Sequence, residues 1–137
     1  MGFLPNGDLI IVSLNFKSKV YKIYLYSFNN KPTSETPWEC SQIYDIEFHK
    51  SLNKNFIDCF VYQTKLFFFN DGLITQWDLL TMTIEMQYND VSDDEHRLYR
   101  CNIAVNKNQT LLAFYGFNDN AIHIYSMETG VHVSRYG

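Results

Sequence analysis

The 137 residues predict an all-β chain built from repeated antiparallel strands, and three observations carry that expectation. Aromatic residues make up 17 % of the sequence, mostly Tyr and Phe, which fit half-buried strands better than helices. Short apolar runs alternate with turn-forming clusters along the chain. The chain also resembles itself: Asp71-Gly72-Leu73-Ile74-Thr75-Gln76-Trp77-Asp78 has a counterpart in Asp119-Asn120-Ala121-Ile122-His123-Ile124-Tyr125-Ser126. In both, an acid precedes a turn-former, Ile stands three places after the acid, and a large aromatic stands six places after it.

The elements follow in order. Pro5-Asn6-Gly7 is a turn, because Pro pre-sets φ and Asn-Gly readily adopts positive φ. Leu9 to Leu14 is an apolar run of strand length, and Lys17-Ser18-Lys19 breaks it. Val20 to Phe28 is a strand with two largely apolar or aromatic faces, as expected where neighbouring sheets cover both. Asn29 to Pro37 is loop by composition, and Trp38 to Phe48 is a strand. After the polar 49–55 connector, strands are expected at Phe56 to Tyr62, Leu66 to Phe69, Leu73 to Leu79 and Thr83 to Tyr88. The tight turns between them imply an antiparallel meander. Asn89 to Arg97 is an acidic loop, and strands resume at Tyr99 to Val105, Thr110 to Tyr115, Ala121 to Met127 and Val131 to Tyr136.

Aligning the aromatic of each third strand gives Tyr26, Trp77 and Tyr125, separated by 51 and 48 residues. Ile precedes it by three each time (Ile23, Ile74, Ile122), and Ser27, Asp78 or Ser126 follows it. The turn Leu4-Pro5-Asn6-Gly7-Asp8-Leu9 parallels Asn106-Lys107-Asn108-Gln109-Thr110-Leu111. A period of about 45–50 residues with four short strands per unit is in the propeller range.

These landmarks resemble the end of a WD repeat, the four-stranded blade of a β-propeller. The resemblance spans nearly the whole chain and is strongest in the second and third units. The first unit has Val20 where the turn acid is expected, and no unit carries the Gly-His pair of the family. Without that His, Asp71 and Asp119 are expected to cap their own turns through the side chain. The resemblance implies an open segment of about three antiparallel four-stranded blades, 1–48, 49–90, and 91–137 with its acidic linker. The first blade is incomplete, its innermost strand missing or reduced to Met1-Gly2-Phe3-Leu4, so about eleven strands are expected. Trp77 and Tyr125 are expected to fill the space between blades.

Composition narrows the function. A formal net charge of −4 and the lack of any basic run argue against nucleic acid. No apolar run reaches the ~18 residues of a membrane helix, and the N-terminal residues do not read as a signal peptide. The expected compartment is the cytoplasm or the nucleus. His49, His96, His123 and His132 have no metal-ligand spacing, although His123 and His132 fall on adjacent strands and are placed to meet across the sheet. No phosphate loop or nucleophile motif occurs, so no cofactor and no enzymatic activity is expected. The acidic loop lacks the alternating ligands of a calcium site, and its Ser92-Asp93-Asp94-Glu95 resembles an acidophilic kinase site. The leading expectation is a protein-interaction scaffold whose partners are other proteins or further blades. A β-sandwich or propeller carbohydrate-binding module using Tyr21, Tyr24, Tyr44 and Tyr62 is the alternative, and a propeller hydrolase using Asp45, Glu47 and Asp58 is a weaker one.

Overall fold

A computed structural model describes residues 1–15, 20–27, 39–47, 58–70, 73–89, 101–116 and 120–137. Every regular element among them is a strand. The first sheet is β1 (Gly2–Phe3), β2 (Leu9–Asn15), β3 (Val20–Ser27) and β4 (Glu39–Glu47). The second is β5 (Asp58–Tyr62), β6 (Lys65–Asn70), β7 (Leu73–Asp78) and β8 (Thr83–Asn89). The third is β9 (Cys101–Val105), β10 (Leu111–Gly116), β11 (Ala121–Ser126) and β12 (His132–Tyr136). Each is four-stranded with neighbours in chain order, and every resolved pairing is antiparallel. The described strands number twelve rather than about eleven, because β1 forms as a two-residue strand against β2. The chain divides into two compact units, one mainly Met1–Asn53 and the other mainly Lys65–Gly137, so the second and third sheets share a unit.

The turns repeat as the sequence implies. Gly7 N–H donates to Leu4 C=O at 2.9 Å, and Gln109 N–H donates to Asn106 C=O at 2.9 Å. Both turn residues have positive φ, +91° at Gly7 and +54° at Gln109. Glycine takes that conformation freely, whereas Gln109 needs support. Asn106 supplies it: its Oδ1 accepts from the backbone N–H groups of Thr110 and Leu111 at 2.8 and 3.0 Å.

The turn after each third strand is also shared by the second and third sheets. Met82 N–H donates to Asp78 C=O and Gly130 N–H to Ser126 C=O, both at 2.8 Å. The side chain following the aromatic caps this turn. Asp78 Oδ1 accepts Leu80 N–H at 2.8 Å, and Ser126 Oγ accepts Thr129 N–H at 3.3 Å. Short polar side chains satisfy local backbone donors in this way, so the repeated Asp or Ser has a physical role. The capping expected of Asp71 and Asp119 lies outside the described residues.

One irregularity recurs in all three sheets. The register slips by one between Leu25 and Tyr26, between Gln76 and Trp77, and between Ile124 and Tyr125. In each case one residue of the fourth strand is left over: Ser41, Glu85 and Val133. Such a β-bulge bends the strand and re-aims a side chain. It sits beside the aligned aromatic every time, so the sequence repeat is a repeat of backbone geometry as well.

Burial follows the landmarks unevenly. Ile23, Ile74 and Tyr125 are almost completely buried, and all of Leu66, Phe67, Phe68 and Phe69 are too, so β6 is covered on both faces. Trp77 is only half-buried, whereas the sequence places it in the core. Its Nε1 is enclosed and has no hydrogen-bond partner among the described residues. Ile122 is 43 % exposed despite matching Ile74 in register.

Candidate functional site

The second and third sheets meet through aromatic side chains. Phe69 stacks on Phe114 with ring centroids 5.1 Å apart, and Tyr88 meets Tyr125 edge-on at 5.8 Å. Offset and edge contacts of this kind suit the ring quadrupoles. Beside them runs a polar chain that the bulge makes possible. Because Glu85 is the extra residue of β8, it is free of strand pairing and turns toward Lys65 and Gln76.

Tyr88 OH donates to Gln76 Oε1 at 2.5 Å, and Gln76 Nε2 donates to Glu85 Oε2 at 2.7 Å. Lys65 Nζ donates to both Glu85 oxygens, at 2.6 and 2.7 Å, and lies 4.0 Å from Asp78 Oδ2. Gln76 is 5 % exposed, so both ends of its amide have to be satisfied inside the protein, and both are. Burial, with the Glu85 charge as a smaller contribution, raises the Tyr88 hydroxyl well above the ordinary tyrosine range. The phenol is therefore held neutral as a donor.

A recess of about 270 Å³ opens on this chain, lined by Lys65, Gln76, Glu85, Met86, Gln109 and Met127. It falls below the roughly 300–1,000 Å³ of small-molecule sites. Lys65 and Glu85 neutralise each other, and Gln76 is held at both ends. The arrangement ties the three strands β6, β7 and β8 of the second sheet together, and its Lys65, Gln76 and Glu85 groups are already engaged.

The two histidines of the third sheet do meet. His123 Nδ1 and His132 Nε2 are 3.2 Å apart, and His132 also packs edge-on against Tyr125 at 5.2 Å. One ring must donate and the other accept, so this contact needs at least one neutral imidazole. Among the described residues no three His, Cys, Asp or Glu side chains are grouped to hold a metal ion.

No protein-family model matches this sequence, and no curated protein matches it. The assignment of sites therefore stands on geometry.

Among the residues singled out by the repeat, Ile23 and Ile74 are core, Tyr26 is half-buried, and Asp78 and Ser126 are turn caps. Asp71, Asp119, Ser92, His49 and His96 lie outside the described residues, as do Glu47 and Asp58 at the level of their side chains. Asp45 is paired with Lys22 at 3.1 Å. Tyr24 and Tyr44 fall on opposite faces of the first sheet, since Tyr24 pairs with Ile43 and Tyr44 with Ile23. That register separates two members of the tyrosine platform. Tyr21 lies outside the described side chains. No helix among the described residues is long and apolar enough to cross a membrane. Lys65, Gln76, Glu85 and Tyr88 were not legible as a set. The one available signal is a polar Gln76 two places after Ile74, hence on the same face of the strand.

Proposed function

We propose that the chain is a WD-like propeller segment acting as a non-catalytic protein-interaction scaffold, with other proteins or further propeller blades as partners. The observation that carries the reading is the threefold recurrence of a four-stranded meander with a fourth-strand bulge beside the same aromatic position. Stacked sheets of this kind hold their connecting segments on a rigid support, which is where binding residues tend to lie. The polar segments Asn29 to Pro37 and Asn89 to Arg97 are the contact surface in this reading. Phosphorylation at Ser92 would add about −1.5 to −2 charge to an already acidic segment and so tune its partners. Fold likeness by itself does not fix function; the mutual saturation of Lys65, Gln76 and Glu85 supports a structural rather than a chemical use of the polar chain.

The test is site-specific photo-crosslinking in cells, with a benzophenone amino acid at Thr33, at Ser92 and, as a control, at the exposed strand residue Thr83. Discrete adducts with one or a few proteins from positions 33 and 92, and none from 83, are expected. No adduct from either segment, together with turnover of a glycoside or ester substrate, would contradict the scaffold.

A further inference from the structure

His123 and His132 meet because of the bulge in the third sheet. Residues two apart on a strand share a face, so His123 and Tyr125 lie together on β11. An unbroken register would set His132 opposite Ser126, on the other face. The slip beside Tyr125 leaves Val133 over and sets His132 opposite Tyr125 instead. His132 thereby reaches the His123 face. It packs edge-on against Tyr125 at 5.2 Å and brings its Nε2 to 3.2 Å from His123 Nδ1.

The pair sits where β12 is held. β12 pairs with β11 through Ile122–Tyr136, His123–Arg135, Ile124–Ser134 and Tyr125–His132. Val133 and Tyr136 of β12 are 57 % and 63 % exposed, so these side chains add little apolar burial to hold the strand. His123, by contrast, is 2 % exposed, and Tyr125 carries the contact on to Tyr88 of the second sheet. Among the described residues, the titratable or charged groups facing the pair are Arg135, opposite His123 on β12, Tyr125 on β11 and Tyr88 on β8; β10 presents Phe114. Arg135 is cationic, and phenols carry no charge in acid. Beyond Tyr88, Glu85 is already paired with Lys65. These groups supply nothing to offset a second positive charge on the rings.

We infer that the His123–His132 contact is an acid-sensitive latch, which holds β12 on β11 at neutral pH and releases it once both rings are protonated. The device stands apart from the scaffold reading above. Facing ring nitrogens at hydrogen-bond distance need one donor and one acceptor, so at most one of the latched rings is an imidazolium. A chain whose β12 has come away meets no such limit, and both rings charge below the ordinary histidine value of about 6.5. The opened state then binds up to one more proton than the latched state. Linkage therefore favours opening as pH falls through that range, by up to about tenfold in the opening equilibrium per pH unit. Above it, both rings are neutral in either state and the latch stays closed.

Amide exchange of His132–Tyr136, followed by NMR from pH 7.5 to pH 5 and expressed as protection factors, tests the latch in the wild type and in His132→Gln. Glutamine still donates or accepts toward His123 but takes up no proton. In the wild type, protection of β12 is expected to fall by up to about tenfold per unit below pH 6.5. Leu66 to Phe69 of β6, almost completely buried, are expected to stay better protected than β12 at every pH. In His132→Gln the protection of β12 should hold level across the range. A level wild-type profile overturns the latch, as does an equal slope in His132→Gln, which assigns the effect to another group. Equal protection of β6 and β12 at every pH also overturns it, since the opening is then global. Should His132→Gln not fold, nitrogen NMR of the wild-type rings decides. No more than one imidazolium until β12 opens supports the latch, and two imidazolium rings beside fully protected β12 amides overturn it.

Discussion

Phe114→Ala is expected to destabilise the unit formed by the second and third sheets by ~3–5 kcal/mol, the range for truncating a buried aromatic. Phe114 is 1 % exposed and stacks on Phe69, itself 3 % exposed, so the cavity left behind opens against a side chain of the neighbouring sheet. Part of the loss belongs to the ring pair itself. A double-mutant cycle with Phe69→Ala should show coupling of about 0.5–1.5 kcal/mol, the usual worth of an aromatic pair beyond its area. Val133→Ala serves as the control: Val133 is 57 % exposed, and such surface changes usually stay within about 0.5 kcal/mol. Urea denaturation followed by tryptophan fluorescence measures the wild type and all four variants. Equal midpoints for Phe114→Ala and Val133→Ala would show that the two sheets do not pack through this ring.

Tyr88→Phe carries the second large effect, and it depends on pH. At neutral pH the substitution deletes the donor to Gln76 Oε1 at a position that is 0 % exposed, leaving a buried carbonyl unsatisfied. The expected cost is about 1–3 kcal/mol. The Tyr88 hydroxyl is raised above its unfolded value, so its contribution is fully present below about pH 10 and is lost as pH climbs toward the folded value. Above about pH 10 the unfolded chain releases this proton and the folded chain keeps it, which makes the wild type less stable with rising pH. Phenylalanine has no proton to release. The gap between wild type and Tyr88→Phe should therefore narrow from pH 9 to pH 11.5 in denaturation midpoints. A gap that stays constant over that range would contradict a buried neutral phenol.

Much of the fold was legible because period-2 apolar runs and turn chemistry are local signals. Leu9 to Leu14, Leu73 to Leu79 and Ala121 to Met127 each became a strand within one residue of the expected end. The Asn-Gly turn at Gly7 and its polar parallel at Gln109 also formed alike, Gly7 taking positive φ freely and Gln109 taking it beside the side-chain bonds of Asn106. Side-chain burial was less legible. Whether Trp77 or Ile122 is covered depends on which sheet lies against it, and a strand pattern records only that a residue suits a half-buried surface. The polar chain was hidden for a different reason. Glu85 reaches Gln76 and Lys65 because it is the extra residue of a bulge, and no glycine or proline marks that bulge in Thr83-Ile84-Glu85-Met86. Asp78 and Ser126 were noticed as a repeat, yet their capping role emerged only with the turn geometry.

The central claim is that three units share one backbone plan, a four-stranded meander whose fourth strand slips by one residue beside the aligned aromatic. Cross-strand NMR contacts between the third and fourth strands test it most directly, since antiparallel partners lie only about 4.5–5.5 Å apart at Cα. The expected partners are Leu25–Gln42 then Tyr26–Cys40, Gln76–Met86 then Trp77–Ile84, and Ile124–Ser134 then Tyr125–His132. An unbroken register, with Tyr26 opposite Ser41, Trp77 opposite Glu85 or Tyr125 opposite Val133, would contradict the shared plan.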